Sequence, residues 1–183
     1  MKLYGGIDLH ANNCVVSILD EQDVQVYERR LPNDLDIVLQ ELAPYQEALQ
    51  GLVVESTFNW YWLVAGLIDA EFTVHLANTV AIKQYDGIKH TNDETDAQWL
   101  AHLLRLGILP EGYIYPKEER AVRDLLRKRA QLVRHKVTQL LSIQNLISRN
   151  TGQYLSGDKV KQLNAKGLRA LLELPELVLA ANS

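Results

Sequence analysis

The chain has 183 residues, 47% of them apolar and 23% charged, which is ordinary for a globular domain with an appendage. No apolar run approaches the roughly 18 residues that a membrane span needs, and the N-terminus lacks the apolar run of a signal peptide. Cys14 is the single cysteine, which excludes an intrachain disulfide and a thiolate zinc cluster. We therefore expect a bacterial cytoplasmic protein with no membrane contact.

Charge is divided unevenly along the sequence. Residues 1–115 contain 6 Lys and Arg against 17 Asp and Glu, a net charge of −11. Residues 116–183 contain 13 against 6, a net charge of +7. The split predicts an acidic body followed by a basic arm. Because acidic surfaces commonly serve solubility alone, charge leaves open whether the body binds cations and the arm binds phosphates.

The first 32 residues predict three short strands joined by tight turns. The apolar, β-rich runs are residues 3–9, 14–19 and 24–31. Connections this short force antiparallel pairing. Pro32 then ends the sheet region, and we expect Asn33 to cap a helix that runs to about residue 42.

Strand and helix alternate in the next segment. Residues 51–55 and 72–76 are expected strands, and Ser56 and Thr57 offer caps for a helix between them. A strand–helix–strand unit of this length implies a parallel, right-handed crossover. Parallel strands added to three antiparallel ones predict an α/β fold with a mixed five-stranded sheet and flanking helices.

Helices dominate the remainder of the sequence. One is expected over about residues 93–106, ended by Gly107. A long one begins at Pro116 and runs to about Arg149, where Asn150-Thr151-Gly152 ends it. A seven-residue repeat within the long helix predicts a coiled coil or a helical hairpin. Its members are Leu126, Val133, Leu140 and Ile147. The predicted divisions are a body at 1–112, a long basic helix at 113–152 and a short helical segment at 153–183.

Four acidic residues stand where a divalent-metal site needs them. Asp8 interrupts an apolar strand, where an unpaired carboxylate is costly, and Glu55 ends a buried strand at the edge where α/β sheets bind ligands. If the first and fourth strands are neighbours, these two carboxylates come together. Asp93 and Asp96 are three residues apart and share one helix face.

Converging carboxylates repel one another unless cations neutralise them. Oxygen-only ligands favour Mg²⁺ or Mn²⁺, and two such ions support in-line phosphoryl transfer. Asp8 would lie between the ions, with the other three acids at their sides. Simpler roles stay open, because the helix dipole alone favours Asp93 and Asp96 in a first turn and Glu55 needs no ligand if water reaches it.

The order of these residues resembles a known family. Gly6-Ile7-Asp8, Val53-Val54-Glu55-Ser56-Thr57 and Asp93-Glu94-Thr95-Asp96-Ala97 are similar to the motifs of the DEDD transposases of bacterial insertion sequences, relatives of the Piv-type invertases. The similarity includes Val74–Asn78 and a long basic helix after Arg123, and so covers nearly the whole chain.

The resemblance implies a ribonuclease-H/RuvC-like domain followed by a long helical, coiled-coil arm. It implies a recombinase that cuts and joins DNA at insertion-sequence ends, with Mg²⁺ or Mn²⁺ held by the four acids acting as catalytic residues. A guide RNA encoded by the element and assembly as a homodimer or tetramer are further expectations from the family.

Two departures from the family pattern stand out. The family often has glycine after the threonine of its glutamate motif, where this chain has Phe58. Family members also continue into a second domain with a nucleophilic serine, which Ser142, Ser148 and Ser156 do not match. We expect the nucleophile to lie outside this chain. On this interpretation the chain is a fragment that cannot carry out full strand exchange on its own.

Other residues allow two interpretations each. The basic residues of the long helix are expected to contact DNA or guide-RNA phosphates, although a solvated coiled-coil face would have the same composition. They are Arg120, Arg123, Arg127, Lys128 and Arg134. The rings of Trp60-Tyr61-Trp62 are expected to pack in a core or a dimer contact and not to stack on bases. We interpret His10 as a turn residue with no role in the site. Cys14 is expected to be an inert residue of an apolar strand.

Two other functions fit parts of the sequence. A sugar-kinase or actin-like ATPase also begins with a Gly-Ile-Asp strand, but it needs glycine-rich phosphate turns in two similar halves. Here His10-Ala11-Asn12-Asn13 follows the strand without glycine, and the sequence has no second half. A non-enzymatic assembly or nucleic-acid-binding module would use the long helix alone and would not respond to metal.

Overall fold

The structure is a computed structural model that describes residues 1–82 and 96–182. The chain divides into two compact units, Met1–Tyr115 and Pro116–Ser183. The predicted loop before Asp93 and the predicted helix start at that residue lie outside the described residues.

The first unit is built on a mixed five-stranded sheet. Its strands are β1 (Leu3–Leu9), β2 (Asn13–Asp20), β3 (Gln25–Pro32), β4 (Leu49–Glu55) and β5 (Val74–Ala77). Their order across the sheet is β3-β2-β1-β4-β5, with antiparallel pairing of the first three along the chain and parallel pairing of β1 with β4 and of β4 with β5. This confirms the predicted mixed sheet with flanking helices of a ribonuclease-H-like α/β fold.

Alternation along β1 and β4 assigns each side chain to one face of the sheet. Ile7 and Val54 belong to the larger buried cluster, which the helices α1 (Leu35–Leu42) and α2 (Tyr61–Asp69) cover. Val53 belongs to a smaller cluster on the opposite face, with residues of α4 (Asp96–Arg105), the helix that follows the short α3 (Thr79–Ile82). Asp8 and Glu55 follow Ile7 and Val54 in the chain and therefore lie on the α4 face.

Two helix starts differ from the sequence prediction. The cap of α1 is Asp34, whose carboxylate accepts the backbone N–H groups of residues 36 and 37, and not Asn33. Helix α2 begins at Tyr61 rather than beside Ser56, because Thr57 uses its hydroxyl on Asn59, 2.8 Å away. Asn33 and Thr57 both lie in loops at the carboxyl edge of the sheet. The side chain of Asn33 donates to the carbonyl of His10 in a neighbouring loop, and that of Thr57 donates to Asn59 in its own loop.

A close approach of backbones seats α4 on the sheet. A Cβ atom at Gly6 would overlap the carbonyl oxygen of Ala97 and lie 2.8 Å from the amide nitrogen of Ala101. No side chain fits in that space, so glycine allows the helix to approach β1 directly. Beyond α4, Gly107 adopts a positive φ of 68°, as expected for the residue that ends the helix.

The second unit consists of helices. The long helix α5 (Lys117–Thr151) ends at Gly152 in the left-handed conformation, as predicted, and three short helices follow. These are α6 (Gly157–Gln162), α7 (Ala165–Leu171) and α8 (Pro175–Asn182). A small buried cluster joins Ile147 of α5 to Leu168 and Leu172. Among the described residues, none of the helices has the length and apolar character required to span a membrane.

Candidate functional site

The structure brings Asp8 and Glu55 together at the carboxyl edge of the sheet. Ile7 pairs with Val54 in the parallel ladder, so the two acids stand side by side at the ends of neighbouring strands. Asp8 is buried, with 7% of its surface exposed, and Glu55 is partly buried. Their carboxyl groups are close enough for Asp8 to raise the pKa of Glu55. The condition that the first and fourth strands be neighbours is therefore met.

The contact between the acids changes the chemistry of Glu55. Burial raises its pKa most, and the hydrogen bond to Asp8 and the charges of Asp8 and Asp96 raise it further, to about 7. The raised pKa means that Glu55 holds a proton for part of the time near neutral pH. The pair is thus an acidic site that carries excess negative charge once the proton leaves.

The remaining predicted acids belong to the start of α4. Asp96 is its first residue, is exposed at the surface, and lies close enough for its charge to raise the pKa of Glu55. Asp93 lies outside the described residues. Three of the four predicted acids can thus be placed, and the charges of Asp8 and Asp96 both act on Glu55.

His10 is part of the same site, although the sequence favoured a turn histidine with no role. Its Nε2 atom lies 3.2 Å from Oδ2 of Asp8. The side-chain amides of Asn33 and Asn59 both donate to its backbone carbonyl, each at 3.0 Å. These two amides fix the turn after β1, and the sequence held no signal for them because each contact joins distant positions.

A second network, which the sequence did not predict, holds the far end of α4. Asp23, in the turn between β2 and β3, accepts from Nε of Arg105 at 2.8 Å and contacts Nδ1 of His102 at 2.5 Å. The ring of His102 stacks on Trp99. Because Asp96 begins this helix, the network and the Gly6 contact together fix where that carboxylate stands.

The donor chemistry of the site fits a hard divalent cation. The carboxylates of Asp8, Glu55 and Asp96 offer oxygen ligands, and their mutual repulsion is relieved by positive charge. Within residues 1–82 and 96–182, no three His, Cys, Asp or Glu side chains already stand in position to share one ion. Cys14 is buried and its pKa is raised to about 11, mainly by burial, so it remains a protonated thiol.

The basic residues predicted to bind nucleic acid lie on α5. Four of them follow spacings of three, four and seven and so form one stripe along the helix. The stripe consists of Arg120, Arg123, Arg127 and Arg134. Lys128 lies roughly 100° further round the helix and donates to Gln131 at 3.2 Å. Arg123 also makes a long contact of 3.8 Å with Asp124.

Comparison with known proteins identifies the family. The family model described as a transposase, of the DEDD type of IS110 elements, matches residues 5–150. The chain belongs to this transposase family. A search among curated proteins returns no match. The match to the transposase family begins in β1 and extends almost to the end of α5, so it includes both the carboxylate site and the basic stripe.

Proposed function

We propose that this transposase binds Mg²⁺ or Mn²⁺ at Asp8, Glu55, Asp93 and Asp96 and uses the site to cleave and join DNA strands of an insertion sequence. The observation that carries the proposal is the placement of Asp8 and Glu55 side by side at the ends of the paired strands β1 and β4. Placing two acids together in a buried or partly buried position is costly unless a ligand uses them.

The site residues that the structure describes have separate parts in the proposed reaction. Divalent ions, when bound, supply the positive charge that in-line phosphoryl transfer requires at the attacking and leaving oxygens. Asp8 contributes the most buried carboxylate, and Glu55 contributes a second one after losing its proton. Asp96 contributes a further carboxylate at the exposed start of α4. His10 holds Asp8 in place through its Nε2 contact.

The test is a titration of Mn²⁺ or Mg²⁺ followed by melting temperature. A specific site stabilises the folded state by about 2.7 kcal/mol when the metal is at 100 times its Kd. The wild-type chain should therefore melt at a higher temperature as metal is added, and Asp8→Asn should abolish the shift. If the melting temperature depended on metal concentration equally in the two proteins, the proposed metal site would be wrong.

Glu47→Gln is the matched control. Glu47 is exposed and lies just before β4, at the opposite edge of the sheet from Glu55. Its substitution removes the same charge without touching the proposed ligands, so the metal-dependent shift should persist. A loss of the shift in this variant would mean that overall negative charge, and not a site, attracts the ion.

We further propose that the arginine stripe of α5 contacts phosphates of DNA and of an element-encoded guide RNA. Binding to phosphates releases counterions, so the logarithm of the affinity falls linearly with the logarithm of salt concentration. Replacing Arg123 and Arg127 by alanine should weaken binding and flatten the slope by roughly two contacts. An unchanged slope would favour a solvated coiled-coil face.

A specific feature of α5 also favours self-association as a homodimer or tetramer. Apolar side chains along its middle are exposed, including members of the seven-residue repeat. Among them are the repeat members Leu126 and Val133, together with Val137, which follows Val133 by four positions. A second copy of α5 would cover them in a coiled coil. Leu126→Glu with Val133→Glu should lower the mass measured by light scattering to that of a monomer; an unchanged mass would contradict this assembly.

A further inference from the structure

An exposed aromatic side chain stands beside the carboxylate site. Phe58 is 84% exposed, although it begins the run Phe58-Asn59-Trp60-Tyr61-Trp62, whose other aromatic rings are buried or partly buried. Trp60 belongs to the main core, and Tyr61 and Trp62 pack against it, which confirms their predicted packing role. The core therefore accounts for every ring of the run except that of Phe58.

The loop that carries Phe58 is held on both sides of that residue. The backbone N–H of Thr57 donates to the carbonyl of Glu55 at 2.9 Å, and the Thr57 hydroxyl donates to the side-chain oxygen of Asn59 at 2.8 Å. The amide of Asn59 in turn donates to the carbonyl of His10 at 3.0 Å. A ring presented on a fixed loop binds a flat partner with little loss of conformational entropy.

Distance along the chain limits where such a partner lies. Phe58 follows Glu55 by three positions, a span of at most about 11 Å. Successive bases of a DNA strand are about 3.4 Å apart along the helix axis, so this span corresponds to roughly three nucleotides. A strand whose phosphate lies against Asp8 and Glu55 can therefore have an unpaired base within reach of the ring.

We propose that Phe58 stacks on a nucleobase of the DNA substrate within about three nucleotides of the phosphate at the Asp8–Glu55 site. The inference rests on the proposed function, because it takes that site to be where DNA is cut. Base–aromatic stacking tolerates any base and contributes about 1–3 kcal/mol to binding of a single strand. Phe58 thus positions the strand without reading its sequence.

The test uses a fluorescein-labelled single-stranded DNA of mixed sequence and fluorescence anisotropy. Phe58→Ala should weaken binding by about 5- to 150-fold, which is the stacking energy converted at tenfold per 1.4 kcal/mol. Phe58→Tyr should retain nearly all of the affinity, whereas Phe58→Leu should remain weak because it keeps apolar surface without a ring. Equal affinities for the alanine variant and the wild type would overturn the proposal, as would full rescue by leucine.

Four further readouts separate base stacking on DNA from general apolar binding, from phosphate contact, from altered assembly and from binding of RNA. Val24→Ala removes an exposed apolar side chain at the opposite edge of the sheet and should leave affinity unchanged. The salt slope should be the same for Phe58→Ala and wild type, because a ring contacts no phosphate. A lower mass of the alanine variant in light scattering, or a larger loss of affinity for RNA of the same sequence than for DNA, would overturn the proposal.

The metal titration distinguishes failure of this inference from failure of the proposed function. The Mn²⁺-dependent rise in melting temperature should be identical in Phe58→Ala and wild type. If that rise is present and DNA affinity is unaffected by the substitution, only the stacking role is wrong. If the rise is absent in the wild type, the metal site itself is wrong, and the proposal for Phe58 falls with it.

Discussion

The two units of the chain bury their apolar residues to very different extents. In Met1–Tyr115 the sheet is covered on both faces, with a large cluster on one side and α4 on the other. In Pro116–Ser183 the long helix α5 has one buried residue among those described, Ile147, near its end. The first unit thus has the core of an independent domain. The middle of α5 instead exposes apolar and basic side chains, a surface typical of interaction sites.

The charge difference follows the same division. The acidic first unit has buried and partly buried carboxylates gathered at one edge of the sheet, whereas the basic second unit spreads its cations along an exposed helix. Concentrated acids suit a small number of divalent ions, and a spread of cations suits a chain of phosphates. Substitutions should therefore affect the two units in different ways.

The largest expected effect contrasts the two parts of α5. Ile147→Ala should lower the free energy of unfolding of the second unit by about 2–5 kcal/mol, because it empties the centre of a small cluster. Leu132→Ala, at a position that is 55% exposed, should change it by less than about 0.5 kcal/mol in the monomer. Urea unfolding followed by circular dichroism measures both. A large effect at Leu132 that grows with protein concentration would mean that a second copy already covers α5.

A second contrast uses two glycines. Gly6→Ala should destabilise the first unit by about 3 kcal/mol, because the new Cβ meets the backbone of α4. Gly157→Ala meets no atom within 4 Å and should be neutral or slightly stabilising, because alanine favours the helix that it begins. Denaturant midpoints compare the two variants. A neutral Gly6→Ala would contradict the close seating of α4.

The third prediction concerns pH and is confined to the acidic unit. The pKa of Glu55 is raised in the folded state to about 7, so folding favours its protonated form. The contribution of this residue to stability is therefore full below its ordinary pKa of 4.5 and is lost as pH rises through 7. Without metal, the melting temperature should fall across that interval in the wild type and much less in Glu55→Gln. Parallel pH profiles for the two proteins would contradict the raised pKa.

The smallest expected effect is at the network that holds the end of α4. His102→Gln should cost about 1 kcal/mol, because Asp23 keeps its bond to Arg105 and is partly exposed. Metal affinity should weaken as well, since Asp96 begins the same helix. Melting temperatures with and without Mn²⁺ measure both effects. If His102→Gln left the metal affinity unchanged, the network would stabilise the fold without positioning Asp96.

Sequence alone predicted the elements and the pairing that matter most. Asp8 and Glu55 were expected to come together if the first and fourth strands were neighbours, and the parallel pairing of β1 with β4 meets that condition. The ends of α4 and α5 were also predictable, because Gly107 and Gly152 adopt the positive φ angles that glycine favours.

The contacts that sequence could not predict join residues far apart in the chain. Asn59 donates to His10 across 49 positions, and His102 contacts Asp23 across 79. Local propensity contains no information about such partners. The two misplaced helix starts have a related cause, because Asn33 and Thr57 are good caps whose side chains are used elsewhere.

Calorimetric titration of Mn²⁺ into the protein near pH 6, in buffers of different ionisation enthalpy, tests the central claim most directly. If Asp8 and Glu55 hold the ion together, binding must displace the proton of Glu55, and up to about one proton should be released per site. The affinity should rise as pH approaches 8, and Glu55→Gln should bind without that release. Absence of saturable heat, or binding with no proton release in the wild type, would contradict the account.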